Sequence, residues 1–157
     1  ERFVAVGADG VTVHAEACGD LGETLDLIDR TGARIGVAIS PDTPLETIIP
    51  YLPKLDMVLI MTVFPGHGGQ RIIESTFDKI RALRKLIRDN GYRTDIEVDG
   101  GVTLDNVDQV LDAGANVIVS GTKVFRGDVE ENVKGFLDAF AKYEKSYEDE
   151  TAMWRIK

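Results

Sequence analysis

The chain has 157 residues, 43% of them hydrophobic, enough for one globular domain with its own core and too apolar for a disordered segment. Asp and Glu outnumber Lys and Arg 27 to 18, and the net charge of −9 disfavours nucleic acid and anionic membranes as partners. No apolar run approaches membrane-spanning length, Glu1-Arg2-Phe3 does not read as a signal peptide, and the single cysteine, Cys18, fits a reducing compartment, so the expected location is cytoplasmic.

Helical and extended patterns then alternate. Residues 3–6 lead through Gly7-Ala8-Asp9 to a strand at 11–15, and residues 25–30 lead through Gly32-Ala33-Arg34 to a strand at 35–39. Residues 110–112 repeat the pattern through Gly114-Ala115-Asn116 to a strand at 117–120. In each, Gly suits the position just past a helix and Ala a tight turn into the next strand. Two further strands, 57–63 and 94–98, lack this signal. Between them residues 74–90 carry Phe77, Ile80, Leu83, Leu86 and Ile87 at helical spacing. Strand starts near 11, 35, 57, 94 and 117, each separated by room for a helix, predict an α/β protein with parallel connections. A (β/α) barrel and an open doubly wound sheet both satisfy this. Chemistry-bearing residues recur just after strand ends, which favours the barrel, although five strands fall short of its eight.

The strand at 57–63 runs into Phe64-Pro65-Gly66-His67-Gly68-Gly69-Gln70. Such a loop can turn its amides toward an anion, usually phosphate. His67 reads as a solvent-facing substitute rather than a phosphate donor. His14 and Glu16 share one strand face, as do Asp95, Glu97 and Asp99, alternating with apolar residues. Asp95 and Glu97 fit a strand start or interior ion pairs. Asp99 differs, because Gly100 and Gly101 follow it directly at the strand's C-terminal end. His14 reads as a hydrogen-bonded interior histidine, and Cys18 as a thiol without chemistry.

Met61-Thr62-Val63-Phe64-Pro65-Gly66-His67-Gly68-Gly69-Gln70 resembles the signature of the ribulose-phosphate 3-epimerase family, and Asp95-Ile96-Glu97-Val98-Asp99-Gly100-Gly101 resembles its second signature. Val13-His14-Ala15-Glu16-Ala17, Gly36-Val37-Ala38-Ile39 with Pro41-Asp42-Thr43-Pro44, and Val119-Ser120-Gly121-Thr122 with Phe125 match in the same order. Phe64 stands where the family usually has a small polar residue, and His67 where it commonly has an aromatic. The resemblance implies a TIM barrel of which residues 1–142 hold about five of the eight βα units, followed by a charged tail at 143–157. That tail either extends the last helix, with Trp154 docking on a neighbour, or frays.

The activity it implies is interconversion of D-ribulose 5-phosphate and D-xylulose 5-phosphate through a metal-stabilised enediolate. Asp99 would be both a catalytic acid/base and a ligand to a divalent cation (Zn, Fe, Mn or Co). Gly66, His67, Gly68, Gly69, Gly100, Gly101, Gly121 and Thr122 would hold the phosphate, with Met61 as an apolar wall. The family's other metal ligands and its second catalytic aspartate have no counterpart here, so the resemblance implies that these residues alone neither turn over nor hold a metal tightly. They would associate with another copy or with an N-terminal half. The alternatives are a non-catalytic sugar-phosphate-binding partial barrel and an epimerase of a ketohexose phosphate. An orotidine-phosphate decarboxylase relative is disfavoured, since the Asp-x-Lys-x-x-Asp pattern is absent.

Overall fold

The computed structural model describes residues 1–64, 66 and 68–154, with side chains as far as 143; His67 and the side chain of Trp154 lie outside the described residues. Five parallel strands lie side by side in chain order: β1 (Gly10–His14), β2 (Arg34–Ile39), β3 (Met57–Met61), β4 (Asp95–Asp99) and β5 (Val117–Val119). The helices are α1 (Arg2–Ala5), α2 (Leu21–Asp29), α3 (Thr76–Asn90), α4 (Val107–Asp112), α5 (Thr122–Phe125) and α6 (Val129–Trp154). Strands in sequential order with crossover helices are the wall of a TIM barrel, here five units of it.

Strand periodicity decides which face the helices cover. Val37, Ile39, Val58, Ile60, Ile96 and Val98 are fully buried and share one apolar cluster with Leu25 and Ile28 of α2 and Phe77, Ile80, Leu83 and Ile87 of α3. The alternate residues of β4, Asp95, Glu97 and Asp99, are half-buried on the opposite, inward face. Each buried aliphatic side chain of that cluster contributes about 1.5–3 kcal/mol, so the outer face holds the strands flat against the helices and leaves the inner face free for polar groups.

Local chemistry sets the element ends. The Asp20 carboxylate accepts the Glu23 amide at 2.8 Å and starts α2 at Leu21, earlier than the apolar pattern alone suggests. Gly91, in the left-handed conformation with φ 68°, ends α3. No α-helix joins β2 to β3. Two 3₁₀ segments, Leu45–Thr47 and Ile49–Lys54, fill that connection instead. Pro44, Pro50 and Pro53 account for the difference, because each lacks the N–H a continuous α-helix needs. At the far end α6 runs without a break past residue 143 to Trp154, buries Phe136 and Ala139, and is tied to α4 by the Tyr143 hydroxyl, which donates to Asp112 at 2.8 Å. No helix is long and apolar enough to cross a membrane among the described residues.

Candidate active site

The ladder brings three inward-facing residues together at the C-terminal ends of the strands. Met61 pairs with Asp99, and Asp99 with Val119, so the carboxylate sits between two apolar side chains. One row down, Leu59 pairs with Glu97 and Glu97 with Val117. Burial, and then the charge of Asp99, push the Glu97 carboxyl above its usual range.

Beyond the ladder the chain must turn tightly. Thr62 is fully buried; its amide donates to the Asp99 carbonyl at 2.9 Å and its hydroxyl to the Gly100 carbonyl at 2.6 Å. Gly100 and Gly101 both have positive φ, 123° and 68°. A Cβ on Gly100 would meet Cβ and Cγ1 of Val63 at 3.0 and 2.9 Å, and one on Gly101 would meet backbone atoms of Arg71 and Gln70 at 2.8 and 2.9 Å. These glycines are therefore dictated by close packing as well as by any ligand. Asn106 donates to the Gly101 carbonyl at 3.0 Å, and Ser120 to that of Val102 at 3.1 Å. In the loop after β3 the Gln70 side-chain Nε2 donates to the Phe64 carbonyl at 2.7 Å.

Together these turns enclose a cavity of about 820 Å³. Met61 and Asp99 line it, with Gly66, Gly68 and Gly69 from the loop after β3. Gly100 and Gly101 contribute from the loop after β4, and Gly121 and Thr122 from the turn after β5. Of the residues that the resemblance assigns to phosphate, acid/base or wall roles, only His67 is not placed there, since it lies outside the described residues. Lys123 and Arg126 also line the cavity without having been singled out. Their signal was present, two cations three residues apart immediately after Gly121-Thr122.

The other inward groups lie elsewhere. Asp95, at the opposite end of β4, pairs with Arg34 at 3.0 Å and accepts from Asn116 at 2.8 Å. β1 stops at His14, so Glu16 sits in a 3₁₀ turn rather than on the strand, and His14 Nδ1 lies 3.0 Å from Glu16 Oε2. Glu16 also accepts from the Ser40 amide at 2.7 Å and from the Thr43 hydroxyl. Burial opposes the charge on Glu16, but the Ser40 amide, the Thr43 hydroxyl and its remaining partners, His14 among them, outweigh it and hold the pKa at about 2. Lys79 of α3 reaches the same loop, donating to the carbonyls of Ser40, Pro41 and Thr43 at 3.0, 2.7 and 2.6 Å. Cys18 Sγ donates to the His14 carbonyl at 3.3 Å.

No group of three or more His, Cys, Asp or Glu able to hold a metal ion occurs among the described residues. Asp99 with Glu97 falls short of the several nitrogen or oxygen donors that a transition-type cation takes, so these residues by themselves do not fit such an ion.

The model of the ribulose-phosphate 3-epimerase family matches residues 1–125. Ribulose-phosphate 3-epimerase of Buchnera aphidicola is 44% identical over 125 residues, covering 80% of this chain and 55% of the relative. The chloroplastic ribulose-5-phosphate-3-epimerase of Arabidopsis thaliana is 46% identical over 136 residues, covering 85% and 48%. Among solved structures, thiamine phosphate pyrophosphorylase from Pyrococcus furiosus superposes with a TM-score of 0.63 at 22% identity, covering 90% of this chain and 63% of that one, a likeness of fold alone. The chain spans about half the length of the curated relatives it matches. With the family model covering most of its residues, and with the Asp-Gly-Gly corner and the glycine loop meeting in one cavity, the chain belongs to the ribulose-phosphate 3-epimerase family.

Proposed function

We propose that these residues supply the phosphate-holding loops and one acid/base group of a site that interconverts D-ribulose 5-phosphate and D-xylulose 5-phosphate. The observation that carries this is the convergence of the glycine loops after β3, β4 and β5 on one cavity with Asp99 at its wall. Amides of those loops are the donors for the phosphate ester. The Asp99 carboxylate takes the proton from C3 of the ketose, next to the carbonyl, and leaves a planar enediolate. Met61 and Val119 flank that carboxylate with apolar side chains. Epimerisation requires a proton to be returned on the opposite face by a second acid, and Asp99 is the one carboxylate among the described residues lining the cavity. The relatives' function also brings a divalent cation, which would polarise the substrate oxygens when bound; Asp99 is the residue here that would contribute to its coordination.

The test separates binding from turnover. A polypeptide of these 157 residues binds ribulose 5-phosphate by calorimetry without converting it. Supplying a segment that carries the second carboxylate, in the same chain or in trans, brings epimerisation, and Asp99→Asn then abolishes it. Absence of ribulose 5-phosphate binding, or turnover indifferent to Asp99→Asn, overturns the proposal.

A further inference from the structure

We infer that Lys123 and Arg126 recognise the phosphate directly, adding side-chain charge to an anion otherwise held by backbone amides. The inference rests on the phosphate-ester reading above. Lys123 lies in α5 and Arg126 caps its C-terminal end, three residues on, and both line the cavity. Among the described residues lining the cavity, Asp99 is the only acid, so the lining carries two cations against one carboxylate in a chain whose net charge is −9.

Several basic side chains elsewhere are engaged: Arg34 with Asp95, Lys54 with Asp26, Lys142 with Asp108 and Lys79 with three carbonyls. Among the described residues Lys123 and Arg126 form no ion pair or side-chain hydrogen bond. Like charges three residues apart repel, an arrangement that a dianion placed between them reverses. A phosphate monoester meets that requirement and a neutral sugar does not. In an acidic protein these two side chains also provide the local positive field that draws the dianion to the amides.

Calorimetric titration with inorganic phosphate at low and high salt tests this on the full chain, on Lys123→Ala, Arg126→Ala and the double variant, and on Lys123→Arg. Gly68→Val serves as the loop control, since Gly68 lines the cavity and a Cβ there lies in ordinary contact with Thr122 Oγ1, 3.6 Å away. Each single alanine variant weakens binding about threefold and the double variant about tenfold at low salt. The difference shrinks as salt screens the charges, and Lys123→Arg retains wild-type affinity. Phosphate binding that is lost in Gly68→Val but unchanged in the double variant, or an unchanged salt dependence, overturns this inference and leaves the phosphate reading standing. No phosphate binding by the wild-type chain overturns both.

Discussion

Thr62→Val removes one hydroxyl from a fully buried position and little else, because the two side chains have nearly the same shape. The hydroxyl has a single proton, and the shorter of its two contacts is to the Gly100 carbonyl, 2.6 Å against 3.0 Å to Asp99. The Asp99 carbonyl keeps its bond from the Thr62 amide at 2.9 Å, so one acceptor is orphaned, that of Gly100. Leaving a buried carbonyl unsatisfied costs about 1–3 kcal/mol. The lower half of that range applies where the corner can turn toward the cavity and find water, so the expected loss is about 1–2 kcal/mol, or a fall of roughly 2–8 °C in Tm for a chain of this size. Urea unfolding followed by circular dichroism measures it, with an unchanged m-value showing that the same surface is exposed. Because Gly100 carries the turn between Asp99 and the amides proposed to hold phosphate, affinity for inorganic phosphate is expected to fall in parallel. A loss below about 0.5 kcal/mol, or full phosphate affinity in a destabilised variant, refutes the view that this hydroxyl holds the corner.

Gly101→Ala puts a Cβ at positive φ into the backbone of residues 70–72, and a loss of about 2–4 kcal/mol is expected by thermal unfolding, whereas Gly68→Ala, in open contact with Thr122, stays within about 0.5 kcal/mol of wild type. Lys79→Met strips three carbonyls of a charged donor, so the amides of Ser40, Asp42 and Thr43 exchange with deuterium faster and stability drops by roughly 1–2 kcal/mol; unaltered exchange removes Lys79 from the role of loop clamp. The Glu16 pKa is depressed from 4.5 to about 2, so its contribution is complete above 4.5 and is lost as pH falls through 2. Glu16→Gln should therefore flatten the acid limb of the stability profile between those values, and a limb identical to wild type contradicts the linkage.

Much of the fold is written in patterns a few residues long. The alternation of Asp95, Glu97 and Asp99 with Ile96 and Val98 specifies β4 and the face it buries, and the Gly-Ala turns at 32–33 and 114–115 locate the starts of β2 and β5. The β2–β3 connection departs from the expected helix because propensity there is overruled by three prolines. The Gly100-Gly101 corner of the site was equally visible, since a clash with Val63 or with residues 70–72 forbids any side chain and leaves glycine in the sequence as a mark. What holds those loops left no such mark. Thr62 acts on Gly100 across 38 positions and Lys79 on Ser40 across 39, so nothing near either residue announces its partner. Lys123 and Arg126 were passed over because a pair of exposed cations on a short helix looks like ordinary solvated surface until the cavity beside it is seen.

The Asp99-Gly100-Gly101 corner joins two demands that could have been met by separate segments. The ladder fixes Asp99 between Met61 and Val119, and the next two residues must lie so close to Val63 and to residues 70–72 that only glycine fits. Close packing of this kind shifts little, since even small displacements force neighbouring backbone to move. In the proposed site the acid/base carboxylate and the phosphate amides are thus two and fewer residues apart on one rigid stretch, and binding the phosphate sets the position of C3 relative to Asp99 through backbone alone. Side chains that reach the cavity without supporting the corner are then the ones free to differ between phosphate esters. Phe64, which is 48% exposed, Lys123 and Arg126 are such residues, and exchanging them should alter which ester is held while leaving the carboxylate in register.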